Sequence, residues 1–227
     1  MSPSENIYGL PESDPGIYLN RDMAAVAKRW NAKAARWDAD LKSPACHLNA
    51  DGAYDSFLTL AKKLVSERLN LCASGMVVDL GCGTGLVLAE LAPCFRRSIG
   101  VDISSEMLSL AAAKLVPNVE WRLGDAFDGH CLSPKPAAVV SRGVLISHYG
   151  FELAELLLDR VAQALEAGGF ALLDFLSAEA PPSLRSIAPN KAHFSPGWIT
   201  DLARRVGFKE VAIEGNACDR VRYLVLR

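Results

Sequence analysis

From residue 76 to its end the sequence alternates between two hydrophobic patterns, and that alternation limits the folds open to it. Short apolar runs, MVVDL, SIGVDI, VEWRL, AAVVS and FALLDFL, are separated by stretches with helical spacing. LVLAELAPCF reads as a helix stopped near Pro93, and SSEMLSLAAAKL as a helix with Ser104 at its N-cap. ELLLDRVAQALEAGG reads as a third helix, closed by Gly168 and Gly169. Continuous apolar runs are buried on both faces, and strands joined through helices lie parallel. The pattern therefore predicts an α/β fold, a doubly wound and mostly parallel sheet covered by helices. After Phe175 the order changes to a proline-rich loop, a helix near 197–206, and the runs FKEVAIEG and RVRYLVLR. Gly215 and Asn216 between those two runs suit a hairpin.

The stretch before residue 76 lacks this alternation. Residues 1–20 are polar and carry prolines and glycines, and read as a flexible arm. Residues 21–72 are expected to form a helical cap. MAAVAKRWNAKAARWDADL is dense in helix formers, Ser43 and Pro44 interrupt it, and a second helix runs from about Ala53 to Leu71. Residues 73–227 are then the domain built on the sheet.

Composition excludes several classes. A 50% hydrophobic and 22% charged chain suits one globular domain with a sizeable core. A net charge of -2 supplies no basic field for nucleic acid. No apolar stretch reaches the roughly 18 residues of a membrane span, and the first residues lack the basic and apolar regions of a signal peptide. The six cysteines include no C-x-x-C pair and read as reduced thiols, not as a zinc site. The expectation is a cytoplasmic protein, monomeric or homodimeric, without nucleic acid, membrane or metal.

The chemistry begins at Asp79, Leu80, Gly81, Cys82, Gly83, Thr84 and Gly85, which follow a buried strand and precede a helix. Glycines at alternate positions let the backbone turn tightly and approach a ligand without Cβ obstruction. The dinucleotide pattern G-x-G-x-x-G fails because Leu86 follows Gly85. An acid, Asp79, at the mouth of the loop favours a ligand with positive charge. Asp102 ends the second strand, where a carboxylate can accept both hydroxyls of a ribose; the alternative is a helix cap, which Ser104 can supply instead. Asp125, at the end of the third strand, can accept from the exocyclic amine of a purine, with Phe127 as an apolar wall.

Together these segments resemble the class I S-adenosylmethionine-dependent methyltransferases. V-D-L-G-C-G-T-G is similar to that superfamily's first motif, G-V-D-I-S with Met107 to its second, and G-D-A-F to its third. The resemblance covers residues 76–227 and implies a seven-stranded Rossmann-like sheet with an antiparallel hairpin strand at its end. It implies S-adenosylmethionine as cofactor, S-adenosylhomocysteine as product, and a small-molecule methyl acceptor. By position, Gly81, Cys82 and Gly83 would line the methionine moiety, with Asp79 near its ammonium. Asp102 would hold the ribose, Ile103, Met107 and Ala126 would flank the adenine, and Asp125 would bind its amino group.

The fourth strand ends at Ser141 and Arg142, where the superfamily places the methyl group and the acceptor. Ser141 is expected beside the cofactor and Arg142 beside the acceptor. No D-P-P-Y, N-P-P-Y or Pro-Cys sequence stands here, which argues against nucleobase, glutamine and pyrimidine C5 methylation. An oxygen, nitrogen or activated carbon of a small molecule remains. His148 can take a proton from such an acceptor or cap a helix, and Arg142 can orient it as a fixed cation. Tyr149 and His193 are expected to touch substrate. Trp37, with Tyr54 and His47, is expected to close over the cofactor, since an aromatic face attracts a sulfonium; the alternative is core packing of Trp30 and Trp37. Two rivals remain: a non-enzymatic S-adenosylmethionine-binding regulatory protein, and an NAD-dependent oxidoreductase, which the glycine spacing disfavours.

Overall fold

The computed structural model describes residues 21–42, 53–143 and 145–227. The arm expected at 1–20 and the candidate His47 lie outside them. Seven strands form one sheet: β1 (Met76–Leu80), β2 (Arg97–Asp102), β3 (Val119–Leu123), β4 (Ala138–Ser141), β5 (Phe170–Leu176), β6 (Val211–Glu214) and β7 (Val221–Leu226). Their order is β3-β2-β1-β4-β5-β7-β6. The first five are parallel, and β7 runs antiparallel between β5 and β6. The expected doubly wound sheet with its closing hairpin is therefore present.

Helices α1 (Met23–Lys42), α2 (Ala53–Ser66), α3 (Leu69–Ser74), α4 (Leu86–Leu91), α5 (Ser105–Ala113), α6 (Leu145–Tyr149), α7 (Phe151–Ala164), α8 (Pro182–Arg185) and α9 (Pro196–Arg205) surround it. Alternate strand residues feed two cores. Val78, Leu80, Val139, Ala171 and Leu173 face α7 and α9 through Leu157, Val161, Ile199 and Leu202. Val77, Val140, Phe170 and Leu172 face Phe57, Ala61 and Leu64 of α2 and Leu88 of α4. This is the period of two that a strand imposes on its side chains.

Two differences from the sequence reading have local causes. The helix expected over Ala53–Leu71 is divided, because Arg68 leaves helical backbone at φ -133 and its guanidinium lies over the Phe170 ring. Helix α2 also shares its core with Val77 and Leu172, so it is a layer of the sheet domain. Helix α1 packs on α5. No described helix is long and apolar enough to cross a membrane.

The strand order reverses between β1 and β4. Connections leave these neighbours in opposite directions, so their carboxyl ends open a crevice, the place where α/β sheets take ligands.

Candidate functional site

The crevice is a cleft of about 920 Å³, part of it open to solvent, at the ends of β1, β2 and β4 and under α1. The glycine loop forms its floor. Gly81 and Cys82 both donate to the Val101 carbonyl, at 2.8 and 3.0 Å, which turns the chain at the end of β1. Gly83 (φ +53) comes so close to α1 that an added Cβ would lie 3.4 Å from Trp37 Nε1. Gly85 serves a different neighbour: a Cβ there would fall 2.4 Å from Cη2 of Trp121, so this glycine makes room for an indole and not for a ligand.

Three carboxylates surround the floor. Asp79 is buried, and its Oδ2 has no hydrogen-bond partner. Burial first, then the charges of Asp102 and Asp174, push its carboxyl up to about 8. Asp102 accepts from Gly83 N at 2.7 Å and from Ser104 N at 2.8 Å, so it braces the loop and the start of α5 together. Burial raises its carboxyl, opposed by those backbone donors. Ser104 caps α5 as its sequence suggested, accepting from Met107 N at 3.1 Å. Asp125 accepts from Phe127 N at 2.9 Å and pairs with the Arg21 guanidinium. Ile103, Met107 and Ala126 line the wall between Asp102 and Asp125. Cys82 is buried, and burial lifts its thiol well above the ordinary range, which leaves no thiolate nucleophile.

Across the cleft stand Arg142, Tyr54, His148 and Tyr149, with Trp30 and Trp37 from α1. Gly143 N donates to both oxygens of Asp174 at 3.0 Å, which fixes the chain just beyond β4 where Arg142 enters the cleft. The Arg142 guanidinium lies 5.0 Å from the Tyr54 ring centre. Burial pushes the Tyr54 hydroxyl up to about 12, partly offset by Arg142. Trp30 meets Trp37 edge-to-face at 5.4 Å and His148 at 5.6 Å. Both tryptophans thus border the cleft as well as each other.

Three expected site residues do not line the cleft. Phe127 is 1% exposed and lies beneath the floor, its ring edge-to-face with Tyr149 at 4.6 Å. Ser141 is buried and donates to the Leu80 carbonyl at 2.7 Å, tying the ends of β4 and β1 together. His193 has its Nδ1 3.0 Å from the Lys191 carbonyl, behind His148 and outside the cleft.

The sequence reading also missed neighbours. Asp38 of α1 bonds the Thr84 hydroxyl and pairs with Lys114 at 2.8 Å, while the Ser104 hydroxyl bonds Asn31 at 2.6 Å. Lys191 lies 3.0 Å from His148 Nε2. Each contact joins positions more than 25 residues apart without a shared motif, so no local pattern announced it. Among the described residues no group of three His, Cys, Asp or Glu side chains could hold a metal.

Residues 77–169 match the family described as methyltransferase domain. A trans-aconitate 2-methyltransferase of Deinococcus radiodurans is 47% identical over 51 residues, 22% of this chain and 20% of that protein. One from Pseudomonas aeruginosa is 30% identical over 156 residues, 66% of this chain and 48% of that protein. The chain thus spans about half, or less, of the length of the curated relatives it matches. Among solved structures, magnesium protoporphyrin IX methyltransferase from Synechocystis PCC 6803 with bound SAH superposes with a TM-score of 0.69 at 21% identity. That match covers 90% of this chain and 98% of the other, and shows a shared fold.

Proposed function

We propose that the chain, whose residues 77–169 match a methyltransferase domain, is a class I enzyme that transfers a methyl group from S-adenosylmethionine to a small-molecule acceptor. The observation that carries this reading is the Asp79 carboxyl, buried with one oxygen unpartnered at the glycine loop. A buried polar atom without a partner is costly, and a cationic ligand group would satisfy it. Three acids around one cleft suit an ammonium and a sulfonium better than a pyrophosphate, which weighs against the dinucleotide reading.

The cofactor supplies a methyl group already activated on a sulfonium. The chain's own residues bind, orient and keep water out. Asp79 would hold the ammonium, the backbone at Gly81, Cys82 and Gly83 would line the methionine part, and Asp102 would accept from the ribose. Asp125 would accept from the adenine amine, with Ile103, Met107 and Ala126 against the ring. Trp37, over Gly83, offers an aromatic face to the cation.

On the acceptor side Arg142 is a fixed cation at the cleft wall and suits an acceptor with a carboxylate. The relatives named for trans-aconitate, a carboxylic acid, support that choice. In-line displacement of this kind gains most from alignment and from exclusion of water. Where the attacked group is a hydroxyl, His148 is the imidazole at the cleft to receive its proton.

Incubation with methyl-labelled S-adenosylmethionine and a panel of di- and tricarboxylic acids, phenols and amines tests the reading. Label should appear in one or more carboxylic acids, and Arg142→Ala should raise KM for them by tenfold or more. Tight cofactor binding with no label in any acceptor would leave a binding protein, and the enzymatic reading would fall.

A further inference from the structure

His148 is held from two sides. Trp30 packs edge-to-face on its ring, and Lys191 Nζ lies 3.0 Å from its Nε2. Lys191 comes from the loop between α8 and α9 and does not border the cleft. That loop is fastened to α6 beside the histidine: Ala192 N donates to the Ser147 carbonyl at 2.8 Å. The Ser147 hydroxyl in turn accepts from Leu176 N at 2.9 Å, and Phe194 N donates to the Leu176 carbonyl at 2.8 Å. The residue before His148 is thus bonded to the residue after Lys191, and Ser147 and Phe194 are both bonded to Leu176 of β5. The contact is set by backbone, not by the chance reach of a flexible stem.

An ammonium has three donors and no acceptor, so a charged Lys191 can only donate and Nε2 can only accept. A neutral imidazole that accepts at Nε2 carries its proton on Nδ1. In that state neither ring nitrogen has a lone pair for an acceptor's proton. We propose that Lys191 is a positioning residue that gates His148: its ammonium occupies Nε2 and fixes the Nδ1–H tautomer, and its discharge releases the ring to act as a base. This deepens the methyltransferase reading, and rests on it only for the use made of the base.

The charge on Lys191 is held weakly. Burial, reinforced by Arg220, Lys33 and Arg29, pushes its ammonium down to about 7, with Asp174 opposing. Arg29 and Lys33 face it from α1, Arg220 from the residue before β7 and Asp174 from β5, while His193 bonds its carbonyl at 3.0 Å. As pH rises through neutrality the ammonium gives its proton to solvent water. The amine no longer obliges Nε2 to accept.

Nitrogen NMR of the imidazoles in the full-length protein reads this directly, with the His148 signal assigned through His148→Gln. In the wild type the neutral ring should show Nδ1 protonated and Nε2 bare at pH 6, and the signal should change through about pH 7. Lys191→Arg keeps a permanent cation and should hold the Nδ1–H tautomer across that range. Lys191→Met removes the donor and should lose that fixed tautomer and the spectral change near pH 7. Near-ultraviolet circular dichroism checks that each variant folds. An Nε2–H tautomer in the wild type overturns the proposal, as does an unaltered spectrum and titration in Lys191→Met. The spectra do not depend on methyl transfer, so a failure here is distinguishable from a failure of the enzymatic reading.

Discussion

At the scale of single residues, Asp102 has two tasks. It braces the glycine loop through Gly83 N and the start of α5 through Ser104 N, and in the proposed complex it also accepts from a ribose. Asp102→Ala should therefore weaken S-adenosylhomocysteine binding. A hydrogen bond to a charged group is worth about 1.5–3 kcal/mol, so a loss of tenfold or more is expected by calorimetry. Helix α5 should survive, because the Ser104 cap on Met107 N is independent of the carboxylate. Unchanged affinity would remove Asp102 from the site. Residues of this sort were legible because backbone geometry demands them: glycines in a tight turn and acids at strand ends. Phe127 and Ser141 share the same strand ends, but two residues of backbone turn decide whether a side chain enters the cleft or the core. The G-D-A-F motif does not encode that turn. Gly85 belongs to a known motif and still owes its place to Trp121, 36 positions on in the chain.

At the scale of elements, α1 contributes little to the two sheet cores and much to the rim of the cleft. Val26 is buried in one core, and Trp30 and Trp37 are only partly buried, one against each core; Trp37, Asn31 and Asp38 also reach the glycine loop or Ser104, and Trp30 meets His148. An element with few fully buried side chains opens at lower free energy than the strands beneath it. We expect the amides of Met23–Lys42 to exchange faster than those of β1 and β4 without cofactor, and to gain protection when S-adenosylhomocysteine binds. Asp38→Ala removes one partner each of Thr84 and Lys114 and should speed ligand release with little effect on global stability. Exchange across α1 that ignores the ligand would make Trp30 and Trp37 ordinary packing. The sequence announced this helix but not its task. Its contacts join residue 31 to 104 and 38 to 84, and helical periodicity reports only which face is apolar.

At the scale of the whole molecule, the alternation of strands and helices identified the class of fold and the closing hairpin. Strand order was not legible there, since periodicity does not say which parallel strands are neighbours. That order places Asp79 of β1 between β2, which ends in Asp102, and β4, so the centre of the sheet carries a buried carboxyl with no hydrogen-bond partner on one oxygen. The consequence is a pH dependence for the entire fold. The Asp79 carboxyl is pushed up to about 8 in the folded chain, from an ordinary value of 3.8. Between those values the unfolded chain gives up a proton that the folded chain keeps, so folding stability falls as pH rises. The contribution is fully present below about pH 4 and is lost as pH climbs through about 8. Asp79→Asn keeps a neutral side chain of the same shape and should flatten this part of the stability profile in urea denaturation at pH 5 and pH 8. A cationic ligand reverses the balance by favouring the carboxylate. Binding of S-adenosylhomocysteine near pH 7 should then release close to one proton from the wild type, read by calorimetry in buffers of different ionisation enthalpy, and markedly less from Asp79→Asn. Equal proton release from both proteins would place the ligand's ammonium elsewhere, and the buried acid would be left as a feature of the sheet with no part in binding.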